Sequence, residues 1–111
     1  MAAKSQLPVG EALSLHELIT PTEAGIASRV LARATGGSIT LFAFDAGQAL
    51  SEHTSPFEAL VIVLAGAFVL TVGGTPVEAG RDMVVRMPAN VPHAVEALEP
   101  SRLLLLMLRA E

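Results

Sequence analysis

From Ile26 onward the chain breaks into short apolar runs separated by turn residues at intervals close to ten residues, and this spacing constrains the fold more than any other feature. The runs are IASRVLAR, SITLFAF, ALVIVLA, AFVLTV, TPVEA, MVVRM, HAVEA and RLLLLML. Gly36-Gly37, Asp45-Ala46-Gly47, Gly66, Gly73-Gly74, Ala79-Gly80 and Pro88-Ala89-Asn90 punctuate them. Short runs with such punctuation predict an all-β sandwich or barrel with six to nine strands, eight being the natural count. Gly73-Gly74, between Val72 and Thr75, suits a tight hairpin, because primed turns need positive φ and glycine adopts it without steric cost.

Helix is the competing reading for ALVIVLAGAFVLTV and RLLLLML, since a continuous apolar run has no diagnostic period. Valine, isoleucine, short length and flanking glycine favour strands. A run without alternation is also covered on both faces. One domain has little else to cover its sheet, so a second copy of the chain is the expected cover. Residues 1–25 are weakly patterned, with Pro8, Gly10, Pro21 and Gly25 around the amphipathic piece EALSLHELI, which predicts an arm with one or two helical turns. The expected organisation is an arm over 1–25 and a barrel domain over 26–111.

The 111 residues suffice for one core. With four Phe, no Trp and no Tyr, that core must be built from Val, Leu, Ile, Ala and Met. Seven Lys and Arg are scattered through a chain of formal charge -4, which argues against a nucleic-acid partner, since phosphates are met by a basic face. Without cysteine there is no disulfide, thiolate metal site or thiol nucleophile, and any metal must use His, carboxylate or water. The apolar stretch from Ala59 to Val72 is shorter than the ~20 residues of a bilayer span. No secretory address is visible in MAAKSQLPVG. The expectation is a cytoplasmic protein with no membrane partner.

Two histidines lie in similar settings, each after a turn and beside a strand: GQALSEHTSPFEALVIVLAG around His53 and GRDMVVRMPANVPHAVEA around His93. This arrangement resembles the cupin superfamily, specifically its small single-domain members with one conserved barrel. There the first motif runs Gly, five residues, His-x-His, three or four residues, Glu, six residues, Gly; the second runs Gly, five residues, Pro-x-Gly, two residues, His, three residues, Asn. Here Gly47 is followed by five residues and then His53, Gly66 lies thirteen residues further on, and Pro88 precedes His93 by five. The resemblance spans about residues 26 to 109 and implies a small double-stranded β-helix, or jelly-roll barrel, that forms a homodimer. Residues two apart on a strand point to the same side, so His-x-His puts both rings into the barrel mouth, where a third His from another strand joins them.

The departures are specific. Ser55 stands where the family has its second metal-binding His, and Ala59 falls where its Glu is placed. Glu58 is one residue early, so alternation turns it away from the pocket unless a bulge at Pro56 resets the register. Asn90 replaces a Gly, and Ala97 stands for the Asn. Two of four ligands survive, His53 and His93, and a divalent ion is held tightly by at least three.

The site expected is therefore a ligand-binding pocket of His53, Ser55 and His93, with His53 and His93 the candidates for a weakly held divalent metal. Ser55 has an alternative use, bonding nearby backbone ahead of Pro56. His16 beside Glu17 is expected to be solvated. Met83, Met87 and Met107 are expected to fill core, with a ligand-cavity lining as the alternative. Arg86 should point out of MVVRM, and Arg29 and Arg33, four apart, should share a face; surface salt bridging is expected of all three.

The fold hosts isomerases, dioxygenases, decarboxylases, sensors and storage proteins, so function rests on the site. The first reading is a small-molecule-binding protein, a biosynthetic accessory or sensor. The second is a metal-dependent enzyme of isomerase, dioxygenase or decarboxylase type using His53 and His93. A third is a metal-free enzyme with either His as general acid or base.

Overall fold

The computed structural model describes residues 7–109; the first six residues of the arm and the last two of the barrel domain lie outside the described residues. After a 3-10 turn, Leu15–Glu17, come nine strands: β1 Ile26–Ala34, β2 Gly37–Phe44, β3 Ala49–His53, β4 Phe57–Ala65, β5 Ala67–Val72, β6 Thr75–Gly80, β7 Val84–Met87, β8 His93–Ala97 and β9 Ser101–Arg109. They form a five-stranded sheet in the order β1-β2-β9-β4-β7, facing a four-stranded sheet in the order β3-β8-β5-β6. All pairings within the two sheets are antiparallel. This is the sandwich expected from the spacing of the apolar runs, in the jelly-roll layout that the resemblance implies.

The extra strand relative to the eight apolar runs is β3, whose residues ALSEH carry one large apolar side chain. Its exposure pattern leaves only Leu50 partly buried, so hydrophobic patterning could not find it. Gly73 and Gly74 both have positive φ, at 58° and 83°, and join β5 to β6 as the tight hairpin expected. Gly66, with φ 79°, joins β4 to β5, and a side chain there would run into Ser101.

Of the two unalternating runs, the one in β4 alternates in burial, whereas Leu104 to Met107 in β9 are all partly buried. In β4, Ala59, Val61 and Val63 are buried toward the interior, while Leu60, Ile62 and Leu64 between them are partly exposed on the outer face. The inner side chains join Phe44, Phe68, Leu70, Val95, Ala97 and Leu103 in the main core. A second cluster lies outside the larger sheet, where Leu7, Leu18 and Ile19 of the arm pack on Leu31, Leu41, Ala43, Leu64 and Leu104. Part of the cover expected from a second copy is thus supplied by the chain's own arm.

Further expectations, for the arginines and for Met83, are corrected. Arg29 and Arg33 do not share a face: a register shift between Val30 and Ala32 sets Arg29 opposite Leu41 and Arg33 opposite Ser38, which lie on opposite sides of β2. Nor does Arg29 form a surface ion pair; its Nη1 donates to the Leu18 carbonyl at 3.1 Å, while Arg102 Nη1 donates to the His16 carbonyl at 3.0 Å, and the two fasten the arm. Arg86 does point out and pairs with Glu58 at 2.9 Å, whereas Arg33 makes no ion pair among the described residues. Met83 is 56% exposed and fills no core.

Candidate functional site

The interior is filled at one end and hollow at the other. At the filled end Phe44 and Phe68 meet edge-to-face with ring centroids 5.1 Å apart. Toward the other end lies a cavity of about 60 Å³. Its floor is Phe44 and Leu103, its walls include Phe42, Leu50, Ala59, Val61, Leu105 and Val95, and its mouth holds His53, Ser55 and His93. Met87 and Met107 also line it, so for these two the ligand-cavity reading stands beside the core one.

Strand pairing brings the histidines together. His53 is the last residue of β3 and His93 the first of β8, and they sit directly opposite each other in the ladder. The rings stand edge-on with centroids 4.4 Å apart, and the two Nε2 atoms are 3.1 Å apart. His93 is buried, whereas His53 lies exposed at the rim with its Nε2 turned inward to His93. Each ring is held from behind: His53 Nδ1 lies 2.8 Å from the Ser51 carbonyl oxygen, and His93 Nδ1 lies 3.1 Å from that of Val91.

Ser55 combines the two placements that the sequence left open. It lines the cavity, and its Oγ accepts the Phe57 amide at 3.1 Å, closing the turn around Pro56. Its carbonyl accepts the Asn90 amide at 2.8 Å, which ties the loop carrying Ser55 to the loop leading to His93. Asn90 has φ 65°, and after glycine asparagine is among the residues that best tolerate this conformation, so it can hold the turn that the resembled motif builds with glycine.

Glu58 faces away, as its register required. Both its carboxylate oxygens take Arg86 on the outer surface, at 2.9 and 3.2 Å, and this pairing raises the Arg86 guanidinium above its ordinary value. Ala59, by contrast, is buried against the cavity at the family's carboxylate position. At the two cavity positions where the resembled motif has a His and a carboxylate, Ser55 and Ala59 therefore bring a hydroxyl and a methyl group.

This decides how well a metal fits. A 3.1 Å separation suits two adjacent ligand nitrogens on one ion, with metal–nitrogen bonds of about 2.0–2.1 Å. No group of three or more His, Asp or Glu that could complete such a site occurs among the described residues. The donor set stops at two imidazoles and a serine hydroxyl and does not fit a tightly held divalent ion.

Residues 40–108 match the family model described as Cupin domain. Among solved structures, the chain is similar to a conserved protein of unknown function from Streptococcus pyogenes, at 28% identity and a TM-score of 0.88 over 95% of this chain and 92% of that one. It is also similar to a cupin superfamily protein from Desulfitobacterium hafniense, at 28% identity and a TM-score of 0.86 over 94% and 95% of the two chains. A cupin 2 conserved barrel domain protein from Leptotrichia buccalis is 33% identical, with a TM-score of 0.81 over 85% of this chain and 46% of that one. No curated protein matches the chain by sequence.

Proposed function

The chain belongs to the cupin family, and from that premise we propose that it is a small-molecule-binding protein, acting as a biosynthetic accessory or sensor. The observation that carries this reading is the cavity itself: an apolar chamber whose few polar groups, His53, Ser55 and His93, converge at its mouth. Ligand sites are characteristically apolar with a small number of placed polar groups. The volume of about 60 Å³ favours a very small ligand, or the end group of a longer one that enters past His53.

The reading is tested by titrating small aromatic and aliphatic compounds into labelled protein and following the backbone amides of β3, β4 and β8. Shifts clustered on residues that line the cavity are expected, and they should weaken in His53→Ala. Compounds that perturb only the outer surface would sink the proposal.

A metal-dependent enzyme has one observation in its favour, the spacing of the two Nε2 atoms. Elemental analysis separates it from the binding protein. The protein as purified should carry far less than one metal ion per chain, and stoichiometric metal lost in His53→Ala would establish the enzyme reading instead.

The proposed assembly is a homodimer working in the cytoplasm. Leu60, Ile62 and Leu106 lie on the outer face of the larger sheet outside the cluster that the arm covers, and Val84 and Leu108 there are 59% and 48% exposed. A second copy seated on them would finish what the arm begins. The described residues contain no helix long and apolar enough to cross a membrane.

A further inference from the structure

We infer that the mouth of the cavity recognises a hydrogen-bond donor on an otherwise apolar ligand, a hydroxyl in the first instance, through two imidazole nitrogens that both present bare lone pairs. The inference rests on the small-molecule reading above and names the chemical class that the site would take.

The argument is an accounting of protons. A backbone carbonyl oxygen can only accept, so His53 Nδ1, 2.8 Å from the Ser51 oxygen, must carry hydrogen, and so must His93 Nδ1, 3.1 Å from the Val91 oxygen. A neutral imidazole has one N–H, so with Nδ1 protonated each Nε2 is an acceptor. The two Nε2 atoms are nevertheless 3.1 Å apart at the mouth of an apolar chamber. Two acceptors facing each other at hydrogen-bonding distance repel, and something that donates must lie against both.

Three kinds of occupant satisfy that demand: an extra proton, a metal ion, or a neutral donor group, either a water or the ligand hydroxyl that replaces it. The ion lacks its remaining ligands, since Ala59 and Ser55 stand where a carboxylate and a third imidazole would complete the set. An extra proton would put a net positive charge between buried His93 and apolar walls, met by solvent on the His53 side alone. Around the cavity, β2, β4, β7, β8 and β9 contribute only Phe, Ala, Val, Leu and Met besides His93, and β3 only Leu50 and His53. Glu58 is committed to Arg86 on the outer surface, and among the described residues no carboxylate lines the cavity to offset the charge.

A neutral donor fits without that cost. Ser55 adds the complementary half: its oxygen is used by the Phe57 amide, so its own hydroxyl proton remains to be given to a ligand oxygen. A hydroxyl can share its one proton between the two nitrogens, which lie 3.1 Å apart, and accept from Ser55 at once. A carboxylate or an ether offers acceptors alone and leaves the nitrogens facing each other.

The test uses the full chain, freed of metal by chelation and labelled with 15N, at about pH 8, above the ordinary imidazole range. Long-range proton–nitrogen spectra report which ring nitrogen carries hydrogen. Phenol, anisole and benzoate are then titrated as probes that share a ring and differ in donor and charge. Both rings are expected as the Nδ1–H form, with phenol binding at least about tenfold more tightly than anisole or benzoate and moving both Nε2 signals. His53→Ala should remove the preference for phenol over anisole.

Hydrogen on Nε2 of either ring, a doubly protonated ring at that pH, or anisole or benzoate matching phenol would overturn the donor assignment while leaving the pocket a binding site. Zinc retained at one ion per chain through chelation would overturn it in favour of the ion. Failure of all three probes to reach the cavity would overturn the small-molecule reading and this inference with it.

Discussion

The two ends of the barrel are built from the same strands and have opposite properties. At the filled end Phe68, Leu70, Val63 and Ala97 are completely buried, and Phe44 meets Phe68 edge-to-face. At the other end the same strands leave a cavity whose rim residue, His53, is exposed. The contrast continues outside. Over Ala43, Leu41, Leu104 and Leu64 the arm is packed down, while Leu60, Leu106 and Leu108 lie beyond its cluster. Stability is concentrated at one end, which leaves the other free to carry lone pairs, a void and an open mouth.

The largest effect that would sharpen this contrast is expected from Phe68→Ala. Removing a fully buried aromatic ring should cost about 3–5 kcal/mol by chemical denaturation. His53→Ala at the other end should stay within about 1 kcal/mol, because the ring is exposed at the rim. Equal losses would show that the mouth supports the fold as much as the filled end does.

Overpacking gives the next largest difference. Val63→Phe adds bulk where nothing is open and should cost about 1–3 kcal/mol. Met107→Phe adds its ring beside an existing void and should cost less, while excluding phenol from the cavity. Comparable melting points for the two variants, with phenol still bound in the second, would mean that the void is not where ligands enter.

The filled end was the legible one. Phe44, Phe68, Val63 and Leu103 lie on runs whose spacing announced strands, and the Gly73-Gly74 hairpin followed from its residues alone. What escaped was β3, because a rim strand that buries little needs no apolar pattern, and β3 is the strand that delivers His53. The pairing of His53 with His93 was readable only through the motif, since no local spacing relates residues forty positions apart. The bulge that separates Arg29 from Arg33 left no mark in the sequence, and the arm's role as cover was obscured by its weak pattern. The Glu58 orientation, by contrast, followed from alternation and needed only the register.

On the outside, Leu106→Glu places a charge on the uncovered part of the larger sheet, whereas Leu104→Glu would disturb the arm's own packing. If a second copy covers the uncovered part, Leu106→Glu should weaken self-association at least about tenfold, equivalent to about 1.4 kcal/mol, with little change in the monomer's fold. Sedimentation that shows a stable monomer at micromolar concentration before any substitution would remove the dimer from the account.

The smallest effect concerns the clasp at the filled end. Asp45, just past Phe44, accepts the Ala24 amide on Oδ2 at 2.6 Å and the Ala46 amide on Oδ1 at 2.8 Å, and its own amide donates to the Gly25 carbonyl at 3.0 Å. The Ala24 amide first, and then that of Ala46, hold its carboxyl below the ordinary value of 3.8. A carboxyl lowered in the folded state stabilises that state fully above the unfolded value, and the contribution is lost as the pH falls through the folded one. Asp45→Asn should therefore be less stable than the parent at neutral pH, and the two stability curves should draw together as the pH drops below 3.8. The carboxylate lies at the surface, so the gap should be small and should shrink further in salt. A gap that persisted unchanged into acid would mean that the clasp acts through shape rather than charge. The filled end would then owe its closure to the packing around Phe44 alone.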